Sequence, residues 1–421
     1  MQIKISSPDK LRGTITLPSS KSISNRALVI NALAGNRTLP DNVSDCDDTN
    51  VMIKWLTDSE SSIKSSEHLV DIGAAGTAMR FSTALLSVTE GTHTITGTER
   101  MKNRPIGVLV DALRQLGADV QYVEKEGYPP LRIKGNPDLE GGSISLPGNV
   151  SSQYISALLM IGPSLRKGIT LTLTDNIVSR PYINMTLAMM REFGADAGWQ
   201  GDDTIAVQPQ PYAQRQYFVE SDWSASSYWY EMVALSKDED AEVTLPGLFA
   251  TSLQGDSKVA DIFKLLGVET IHNGNTVTLR KSKDIVQRLD YDFVEQPDLA
   301  QTFVVTCCMM GIPFHFTGLQ SLKIKETDRI EALKAELSKL GFTITDRNDS
   351  ELLWDGSDAP QASACPAKAI DTYEDHRMAM CFAPASLLRE SIDMNDPQVV
   401  TKSYPKYWDD LQSIGFRICG F

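Results

Sequence analysis

The chain has 421 residues, of which 42% are hydrophobic and 22% are charged. This is the composition of an ordinary globular protein that is long enough for two or three domains. The net charge of −14 argues against general binding to nucleic acid or to an anionic membrane, although it does not exclude a local cationic cleft.

The first residues, MQIKISSPDKLRG (1–13), predict a strand and a turn and lack the apolar core of a signal peptide. No apolar run in the sequence reaches the ~20 residues that a membrane-spanning helix needs. None of the six cysteines forms a Cys-x-x-Cys pair, and no His–Cys spacing suits zinc. We therefore expect a cytoplasmic protein with free thiols and no bound metal.

A helix with an anion-binding start is predicted at 18–35, PSSKSISNRALVINALAG. Hydroxyl residues together with Lys21, Ser22 and Arg26 precede an apolar run that ends at glycine. Free N–H groups, the helix dipole and two fixed cations favour a phosphate at this end. An ordinary capped core helix explains the same residues, so this segment alone does not distinguish an anion-binding helix from a structural one. No G-x-x-x-x-G-K-[ST] motif is present, which excludes a P-loop role for the lysine.

One pattern recurs along the chain: an apolar helix ends at Leu-Gly or a similar pair, and a strand follows. It occurs five times at intervals of 73 to 77 residues. Glycine at this place is a helix stop that can take left-handed backbone. A sixth copy without the Leu-Gly ending is expected in DDTNVMIKWLTD (47–58). The five glycines are Gly117, Gly194, Gly267, Gly341 and Gly415.

Each of the six units also has an earlier helix that starts with small or polar residues. These helices show little amphipathic alternation, which predicts burial on most sides. Alternating segments such as GITLTLTD (168–175), AEVTLPG (241–247) and NTVTLRK (275–281) predict half-exposed strands. The pattern indicates an α/β fold in which bundles of buried helices are covered by sheets. The six helices are predicted at 19–35, 73–91, 149–162, 221–235, 297–311 and 373–388.

Two domain boundaries are expected. The first lies at 17–20, and the second at 220–222, after the Gln- and Pro-rich loop QPQPYAQRQ (208–216). Three units between these boundaries and three after them predict two similar domains. One comprises residues 19–221, and the other comprises 1–18 together with 222–421.

The charged segment KIKETDRIEAL (323–333) is the sharpest chemical motif. Lys325, Glu326 and Arg329 lie at a predicted helix start, for which Thr327 and Asp328 are the candidate caps. A glutamate among cations in a cleft is suited to proton transfer. The alternative from these residues alone is a solvated, charged helix terminus.

Further polar residues lie at the predicted starts of the other helices. YEDHRMAMCF (373–382) places Asp375, His376 and Arg377 directly before a buried helix, where a structural cap is the alternative for the histidine. RMKNRPIG (100–107) predicts Arg104 beside a proline in a first helical turn. The remaining candidates are Asp298, Ser151, Ser152, Gln153, Ser179 and Tyr182.

Together these motifs resemble the EPSP synthase family of enolpyruvyl transferases in the shikimate pathway. The resemblance runs in consistent order from LPSSKSISNRA (17–27) to VVTKSYPKYWDDL (399–411) and includes AGTAMR, EGYPPLR, GNVSSQY, KETDR and DHRMAMCF. It implies two domains, each of three βαβαββ units, with helix N-termini facing an active-site cleft between them. It also implies a monomer whose partners are small molecules only.

The resemblance implies two substrates, shikimate 3-phosphate and phosphoenolpyruvate, and no cofactor. Lys21 and Gln153 are implied to contact both substrates. The residues implied to hold shikimate 3-phosphate are Lys21, Ser22, Arg26, Ser151, Ser152, Gln153, Ser179, Tyr182, Asp298, Ser321 and Lys325. Those implied to hold phosphoenolpyruvate are Lys21, Gly76, Arg104, Gln153, Arg329, Arg377 and Lys402.

Asp298 and Glu326 are implied to be the proton-transfer pair, with Lys21 also catalytic and with His376 and Thr77 in supporting positions. The 5-hydroxyl of the sugar acid adds to C2 of phosphoenolpyruvate while C3 is protonated, and loss of phosphate completes the transfer. Two carboxylates near opposed cations suffice for these proton transfers. Seven cationic side chains can neutralise the substrate anions without a metal.

The sequence departs from the family pattern at three places. Ala74 and Phe81 replace an asparagine and a proline of the usual N-A-G-T-A-M-R-P motif, and Ser321 replaces a common asparagine. The segment 56–70 is also shorter than usual. Activity is expected to survive, and the retained Gly76 predicts sensitivity to glyphosate, although the loss of the amide at Ala74 makes the affinity hard to predict.

Two alternatives remain open at this point. The related enzyme that transfers enolpyruvyl to UDP-N-acetylglucosamine usually has a reactive cysteine in the loop before the Arg-Pro pair, and that loop is ERMKN (99–103) here. A non-catalytic, anion-binding relative is the other alternative. Asp298, Glu326 and Lys21 argue against it.

Overall fold

The computed structural model describes residues 1–62, 68–357 and 368–420, and side chains throughout these ranges except at 58–62. The chain divides into two compact units: a C-terminal unit, Met1–Pro18 with Glu220–Phe421, and an N-terminal unit, Ser19–Val219. The second change of unit precedes the position expected from the sequence by two residues. Glu220 accepts hydrogen bonds from Ser252 and Gln254, which ties it to the C-terminal unit.

The helices are described in chain order. Those within the described residues are α1 (Lys21–Leu33), α2 (Asp47–Ser62), α3 (Gly76–Ser87), α4 (Glu99–Lys102), α5 (Gly107–Gln115), α6 (Ser152–Ile161), α7 (Arg180–Glu192), α8 (Trp223–Leu235), α9 (Val259–Lys264), α10 (Ala300–Met310), α11 (Arg329–Lys339), α12 (His376–Phe382) and α13 (Tyr407–Ser413). No helix in this part of the chain is long and apolar enough to cross a membrane.

The strands are short and lie between the helices. Those within the described residues are β1 (Gln2–Ser6), β2 (Arg12–Thr14), β3 (His68–Asp71), β4 (Gly91–Thr96), β5 (Asp119–Tyr122), β6 (Leu131–Gly135), β7 (Gly142–Pro147), β8 (Ile169–Thr174), β9 (Ala197–Trp199), β10 (Thr204–Val207), β11 (Glu242–Pro246), β12 (Leu266–Asn273), β13 (Thr276–Ile285), β14 (Leu289–Asp292), β15 (Phe314–Thr317), β16 (Thr345–Arg347), β17 (Glu351–Trp354), β18 (Ile392–Asn395) and β19 (Arg417–Cys419).

Four sheets share one topology, in which the strands stand in the order first, second, fourth, third. They are β3-β4-β6-β5, β7-β8-β10-β9, β2-β11-β13-β12 and β14-β15-β17-β16. In each, the first two strands are parallel and the later pairs are antiparallel. A parallel pair requires a crossover, and the buried helix of the repeat provides it. The repeat predicted from the glycine spacing therefore corresponds to a repeated order and orientation of strands.

The fifth sheet explains why the chain start belongs to the C-terminal unit. Its order is β18-β1-β19, with all pairs antiparallel, and a parallel bridge at Ile370 occupies the position of a first strand. β1 thus takes the central position in the sheet of the last repeat. β2 in turn supplies the first strand of the sheet that contains β11.

Buried helices form the core of each unit, as the sequence predicts. In the N-terminal unit α1 packs against α2, α3, α6 and α7, and every residue of α3 is buried. In the C-terminal unit α10 packs against α8 and α12, and all seven residues of α12 are buried. The α/β fold class, with inner helices and outer sheets, is confirmed.

The first repeat of the N-terminal unit differs from the others. Its described residues contribute α1, α2 and an isolated parallel bridge between Asp41 and Phe218, where the other repeats have a sheet. Pro40 cannot donate to a strand ladder, and Asn42 has a φ of 56°, so this stretch does not extend as a strand. The shortened segment 56–70 noted in the sequence lies partly outside the described residues.

The five repeat glycines adopt the conformation expected of helix stops. Their φ angles lie between +78° and +101°, a region that L side chains avoid. Gly117 follows α5, and a Cβ added there would meet nothing closer than Leu139 Cδ1 at 3.8 Å. The requirement for glycine at this position is therefore conformational.

Replacing Gly117 with Ala is expected to lower the free energy of unfolding by about 1–2 kcal/mol, because alanine is strained at a φ of +100°. Gly198→Ala in β9 is the matched control, since its φ is not in the left-handed region and its nearest neighbour is 4.0 Å away. Urea unfolding measures both variants. Equal losses in the two variants would contradict the conformational explanation.

Candidate functional site

Three helices of the N-terminal unit, α1, α3 and α6, begin at residues that the sequence predicts to bind anions. Lys21 is the first residue of α1, whose N-cap Ser20 accepts from Ile23 N at 3.4 Å. Gly76 begins α3. Ser151 caps α6 by accepting from Gln153 N at 3.3 Å. Each helix start concentrates free N–H groups and the positive end of a dipole.

The starts of α3 and α6 are joined directly. Gln153 Nε2 donates to Thr77 Oγ1 at 3.2 Å, and Ser152 is the first residue of α6. Ser179 is the N-cap of α7 and has a φ of 55°, a strained conformation for a non-glycine residue. Its side chain is 7% exposed. These contacts place the predicted residues of α3 and α6 side by side.

Arg26 lies deep among α1, α6 and α7. Its Nε donates to Thr186 Oγ1 at 2.7 Å, its Nη1 to Ser22 O at 2.9 Å and its Nη2 to Ser156 Oγ at 3.2 Å. The guanidinium also lies 5.4 Å from the centre of the Phe81 ring. Burial lowers the pKa of Arg26 to about 10, which leaves it charged at neutral pH.

Lys21 is paired within its own unit. Its Nζ lies 3.3 Å from Asp48 Oδ2, on α2, and the carboxylate is only 5% exposed. The sequence does not indicate this role of Asp48, beyond placing the residue in the first turn of a predicted helix. Asp48 holds the ammonium at the start of α1, next to Ser22.

Arg104 is placed against the first residue of α3. A Cβ on Gly76 would stand 2.8 Å from Arg80 Nη1 and would overlap the guanidinium of Arg104. A side chain at position 76 would therefore have to displace the guanidinium groups of these two arginines. The predicted first helical turn at Pro105 is wrong: α5 begins at Gly107, since the Arg104–Pro105 peptide links α4 to the N-cap Ile106.

Arg329 is the centre of the second cluster, in the C-terminal unit. Its Nε donates to Asp375 Oδ2 at 2.7 Å, its Nη2 to Glu326 Oε2 at 2.9 Å and its Nη1 to Asp298 Oδ1 at 3.1 Å. The side chain is 1% exposed. Burial opposes the charge, but Asp375, Glu326 and Asp298 raise the pKa of Arg329 above its ordinary value.

Asp298 lies in a short 3₁₀ turn before α10 and contacts three cations. Besides Arg329, its carboxylate meets Arg377 Nη2 at 3.1 Å and Lys325 Nζ at 3.3 Å. Burial alone would raise the pKa of Asp298. Arg377, Lys325 and Arg329 outweigh burial and hold the pKa well below its ordinary value.

Glu326 connects this cluster to Lys402. Lys402 Nζ lies 3.6 Å from Glu326 Oε1, at the end of a 3₁₀ turn. The cap of α11 is Asp328, which accepts from Glu331 N at 3.2 Å. Of the two candidate caps, Thr327 is not used.

His376 and Ser321 hold different positions. His376 is the first residue of α12, and its Nδ1 lies 3.8 Å from Asp375 Oδ1. It is therefore next to the carboxylate that holds Arg329. Ser321 lies in a 3₁₀ turn, and its Oγ is buried with no hydrogen-bond partner among the described residues. The structure thus places Ser321 without linking it to the cluster.

Sequence reasoning missed three groups of this cluster. Asp375 was seen only as a residue before a helix, yet it caps α12 by accepting from Arg377 N at 2.9 Å and also binds Arg329. Tyr228 on α8 receives a hydrogen bond from Arg377 Nη1 at 3.4 Å. Ser224 Oγ donates to Asp256 Oδ2 nearby. These partners are far apart in sequence, so no local pattern indicates them.

In the described residues, no group of three or more His, Cys, Asp and Glu side chains is arranged to hold a metal ion. What the two clusters offer is fixed positive charge. In the N-terminal unit it faces neutral oxygens and one carboxylate. In the C-terminal unit it faces several carboxylates, which are the groups able to transfer protons near neutral pH.

Because the carboxyl group of Asp256 is buried, we expect the stability of the protein to depend on pH. Burial, reinforced by the negative charge of Asp298 and opposed by Arg377, raises the pKa of Asp256 to about 6. Between about pH 4 and pH 6 the folded protein therefore binds a proton that the unfolded chain has lost. Stability falls as the pH rises through this window.

Asp256→Asn, which still accepts from Ser224, is expected to remove this component. The free energy of unfolding of the variant should rise relative to that of the wild type by about 2 kcal/mol between pH 4 and pH 7. Urea titrations at several pH values test this. Parallel curves for the two proteins would show that Asp256 is ionised alike in both states.

Comparisons with known proteins agree over nearly the whole chain. A family model described as EPSP synthase (3-phosphoshikimate 1-carboxyvinyltransferase) matches residues 5–411. A curated 3-phosphoshikimate 1-carboxyvinyltransferase of Bacteroides fragilis is 59% identical over 418 residues, which is 99% of each chain. Another, from Vibrio campbellii, is 36% identical and covers 96% of this chain and 97% of its own length.

Two solved structures share the fold. An EPSP synthase from Acinetobacter baumannii matches with a TM-score of 0.78 and 21% identity over 100% of both chains. The enolpyruvyl transferase NikO from Streptomyces tendae matches with a TM-score of 0.73 and 15% identity, over 99% of this chain and 98% of its own.

Proposed function

The chain belongs to the EPSP synthase family, and from this membership we propose that it transfers the enolpyruvyl group of phosphoenolpyruvate to the 5-hydroxyl of shikimate 3-phosphate. The products are 5-enolpyruvylshikimate 3-phosphate and phosphate, so the chain acts in the shikimate pathway. The observation that carries the chemistry is the pair Asp298 and Glu326, both bound to the buried guanidinium of Arg329.

Shikimate 3-phosphate is held by helix starts of the N-terminal unit in this proposal. Phosphate and carboxylate groups suit the N–H groups at the starts of α1, α6 and α7 and the hydroxyls beside them. Lys325, Asp298 and Ser321 complete the set from the C-terminal unit. The residues assigned from the N-terminal unit are Lys21, Ser22, Arg26, Ser151, Ser152, Gln153, Ser179 and Tyr182.

Phosphoenolpyruvate carries a carboxylate and a phosphate, which match the forked donors of arginine. Arg104 beside Gly76, together with Lys21 and Gln153, is assigned to it from the N-terminal unit. Arg329, Arg377 and Lys402 are assigned from the C-terminal unit. Residues of both units are therefore assigned to phosphoenolpyruvate.

Asp298 accepts the proton of the attacking hydroxyl, and Glu326 exchanges the proton at C3. A carboxylate held by three cations is a weak base at first. When substrate anions attract Arg377 and Lys325, the pKa of Asp298 rises toward the working pH, which strengthens it as a base. Addition at C2 gives a tetrahedral intermediate, and loss of phosphate with removal of a C3 proton gives the product.

We also propose that the protein is a cytoplasmic monomer that binds only small molecules. Its net charge of −14 supports the absence of a nucleic-acid partner. Light scattering during gel filtration tests the oligomeric state, and a mass near 46.4 kDa is expected for the single chain.

Phosphate release should require both substrates and should collapse in Glu326→Gln and in Asp298→Asn. Each change keeps the shape of the side chain and removes its ability to transfer a proton, so kcat should fall about 10²–10⁴-fold. Glu331→Gln is the matched control, because Glu331 is an exposed residue on α11, the helix that follows Glu326, and pairs with Lys334. Its kcat should match that of the wild type.

Assays of the wild-type protein distinguish the proposed reaction from its alternatives. Phosphate release with UDP-N-acetylglucosamine in place of shikimate 3-phosphate would indicate the other acceptor. Calorimetric heat on adding shikimate 3-phosphate, without any turnover, would indicate an anion-binding relative. Undiminished activity in both carboxamide variants would refute the proton-transfer pair while leaving the reaction itself in place.

A further inference from the structure

Tyr154 makes a partly buried hydrogen bond that is not among the substrate contacts assigned above. It is the third residue of α6 and is 7% exposed. Its hydroxyl donates to the carbonyl oxygen of Pro105 at 2.6 Å, which is short for an O–H···O hydrogen bond. Pro105 directly follows Arg104. The bond therefore joins the α6 start to the segment that carries this arginine.

The same carbonyl oxygen has a second donor. Arg80 Nη2, on α3, lies 3.4 Å from Pro105 O, and Arg80 Nη1 donates to Gly76 O at 2.8 Å. The Arg80 guanidinium also faces the Tyr154 ring, with 5.8 Å to its centre. Pro105 O is thus fixed by one residue of α3 and one of α6.

The backbone on either side of this carbonyl is held from other places. Arg104 N donates to Met101 O at 3.0 Å, within the turn that ends α4, and Ile106 N donates to Gly127 O at 2.9 Å. Neither contact reaches the helices that carry the predicted substrate residues. Among the described backbone contacts of Arg104, Pro105 and Ile106, the bonds to Pro105 O are the ones that reach α3 and α6.

We propose that Tyr154 is a positioning residue for phosphoenolpyruvate, which rests on the function proposed above. Its hydroxyl holds the Pro105–Ile106 peptide, which directly follows Arg104, at a fixed distance from the start of α6. The neighbouring Gln153 is fixed to Thr77 on α3. Arg104 and Gln153 therefore keep the spacing that two groups binding one small anion need, since small displacements of such groups weaken binding.

A purely structural role is the competing explanation. Tyr154→Phe keeps the ring that faces Arg80 and removes a single hydroxyl, so both explanations predict some loss of stability. They differ in kinetics. A positioning role affects binding of phosphoenolpyruvate selectively, whereas a structural role changes the melting temperature and leaves the Michaelis constants in place.

Tyr212→Phe is the matched control. Tyr212 is also buried in the N-terminal unit, and its hydroxyl donates at 2.9 Å to the carbonyl of Met160, near the far end of the same helix. Both substitutions remove one tyrosine hydroxyl that is bonded to a main-chain carbonyl. Only Tyr154 has its bond next to Arg104.

Phosphate release measured at varied concentrations of each substrate tests the proposal, with melting curves for all three proteins. For Tyr154→Phe the KM for phosphoenolpyruvate should rise roughly fivefold to tenfold, the size expected for one lost hydrogen bond. Its kcat and its KM for shikimate 3-phosphate should stay within about twofold. For Tyr212→Phe, all three constants should match the wild type although the melting temperature falls similarly.

An unchanged KM for phosphoenolpyruvate in Tyr154→Phe would overturn the positioning role. An equal rise of this KM in Tyr212→Phe would overturn it as well, because the effect would then follow from a general loosening of α6. A wild-type protein that released no phosphate would instead refute the function on which the inference rests. These three results are distinguishable in the same set of measurements.

Discussion

The ion pair between Asp375 and Arg329 is the interaction on which the cluster of the C-terminal unit depends. Asp375 has no exposed surface, and it accepts from both Nε and Nη2 of Arg329 while also capping α12 through Arg377 N. One carboxylate thus fixes the guanidinium at the start of α11 and the helix that carries Arg377. Removing one partner of such a pair leaves a buried charge uncompensated, which typically costs 3–5 kcal/mol. Carboxylates of its own unit therefore hold Arg329 in place and raise its pKa.

The two units satisfy their cations differently, and the difference matches their proposed roles. Arg26 donates to hydroxyl and carbonyl oxygens, which are neutral and hold it without supplying a base. Arg329, Arg377 and Lys325 instead meet carboxylates. Charged groups fixed in this way need little reorganisation when charge develops on a reacting substrate. In the proposed function, substrate contacts are assigned to residues of each unit, and proton transfer is assigned to Asp298 and Glu326 of the C-terminal unit.

Local sequence signals predicted the repeat and the candidate residues but not the contacts between them. Glycine at a helix end and polar residues at a helix start are short-range features, so Gly117 or Lys21 can be interpreted from a few neighbours. Asp375 and Arg329 are 46 residues apart, and Arg26 and Thr186 are 160 apart, so only the fold brings them together. The helical turn expected at Pro105 was wrong because proline suits a loop before a helix as well as its first turn. Around Pro40, the described residues of the first repeat form no sheet. The cause is local, because proline cannot donate to a strand ladder, and a comparison of the repeated units does not take such a local feature into account.

In the proposed reaction, a carboxylate of the Arg329 cluster moves the proton at C3 of phosphoenolpyruvate. Exchange of the C3 hydrogens in deuterated water, followed by NMR of the recovered substrate, tests it most directly. Protonation at C3 followed by return of the intermediate leaves deuterium in phosphoenolpyruvate, even where the forward step is slow. We expect the wild type to incorporate deuterium only when shikimate 3-phosphate is present, and Glu326→Gln to lose this exchange. Exchange at the wild-type rate in both Glu326→Gln and Asp298→Asn would contradict the account, because the proton would then be moved by a group outside this pair.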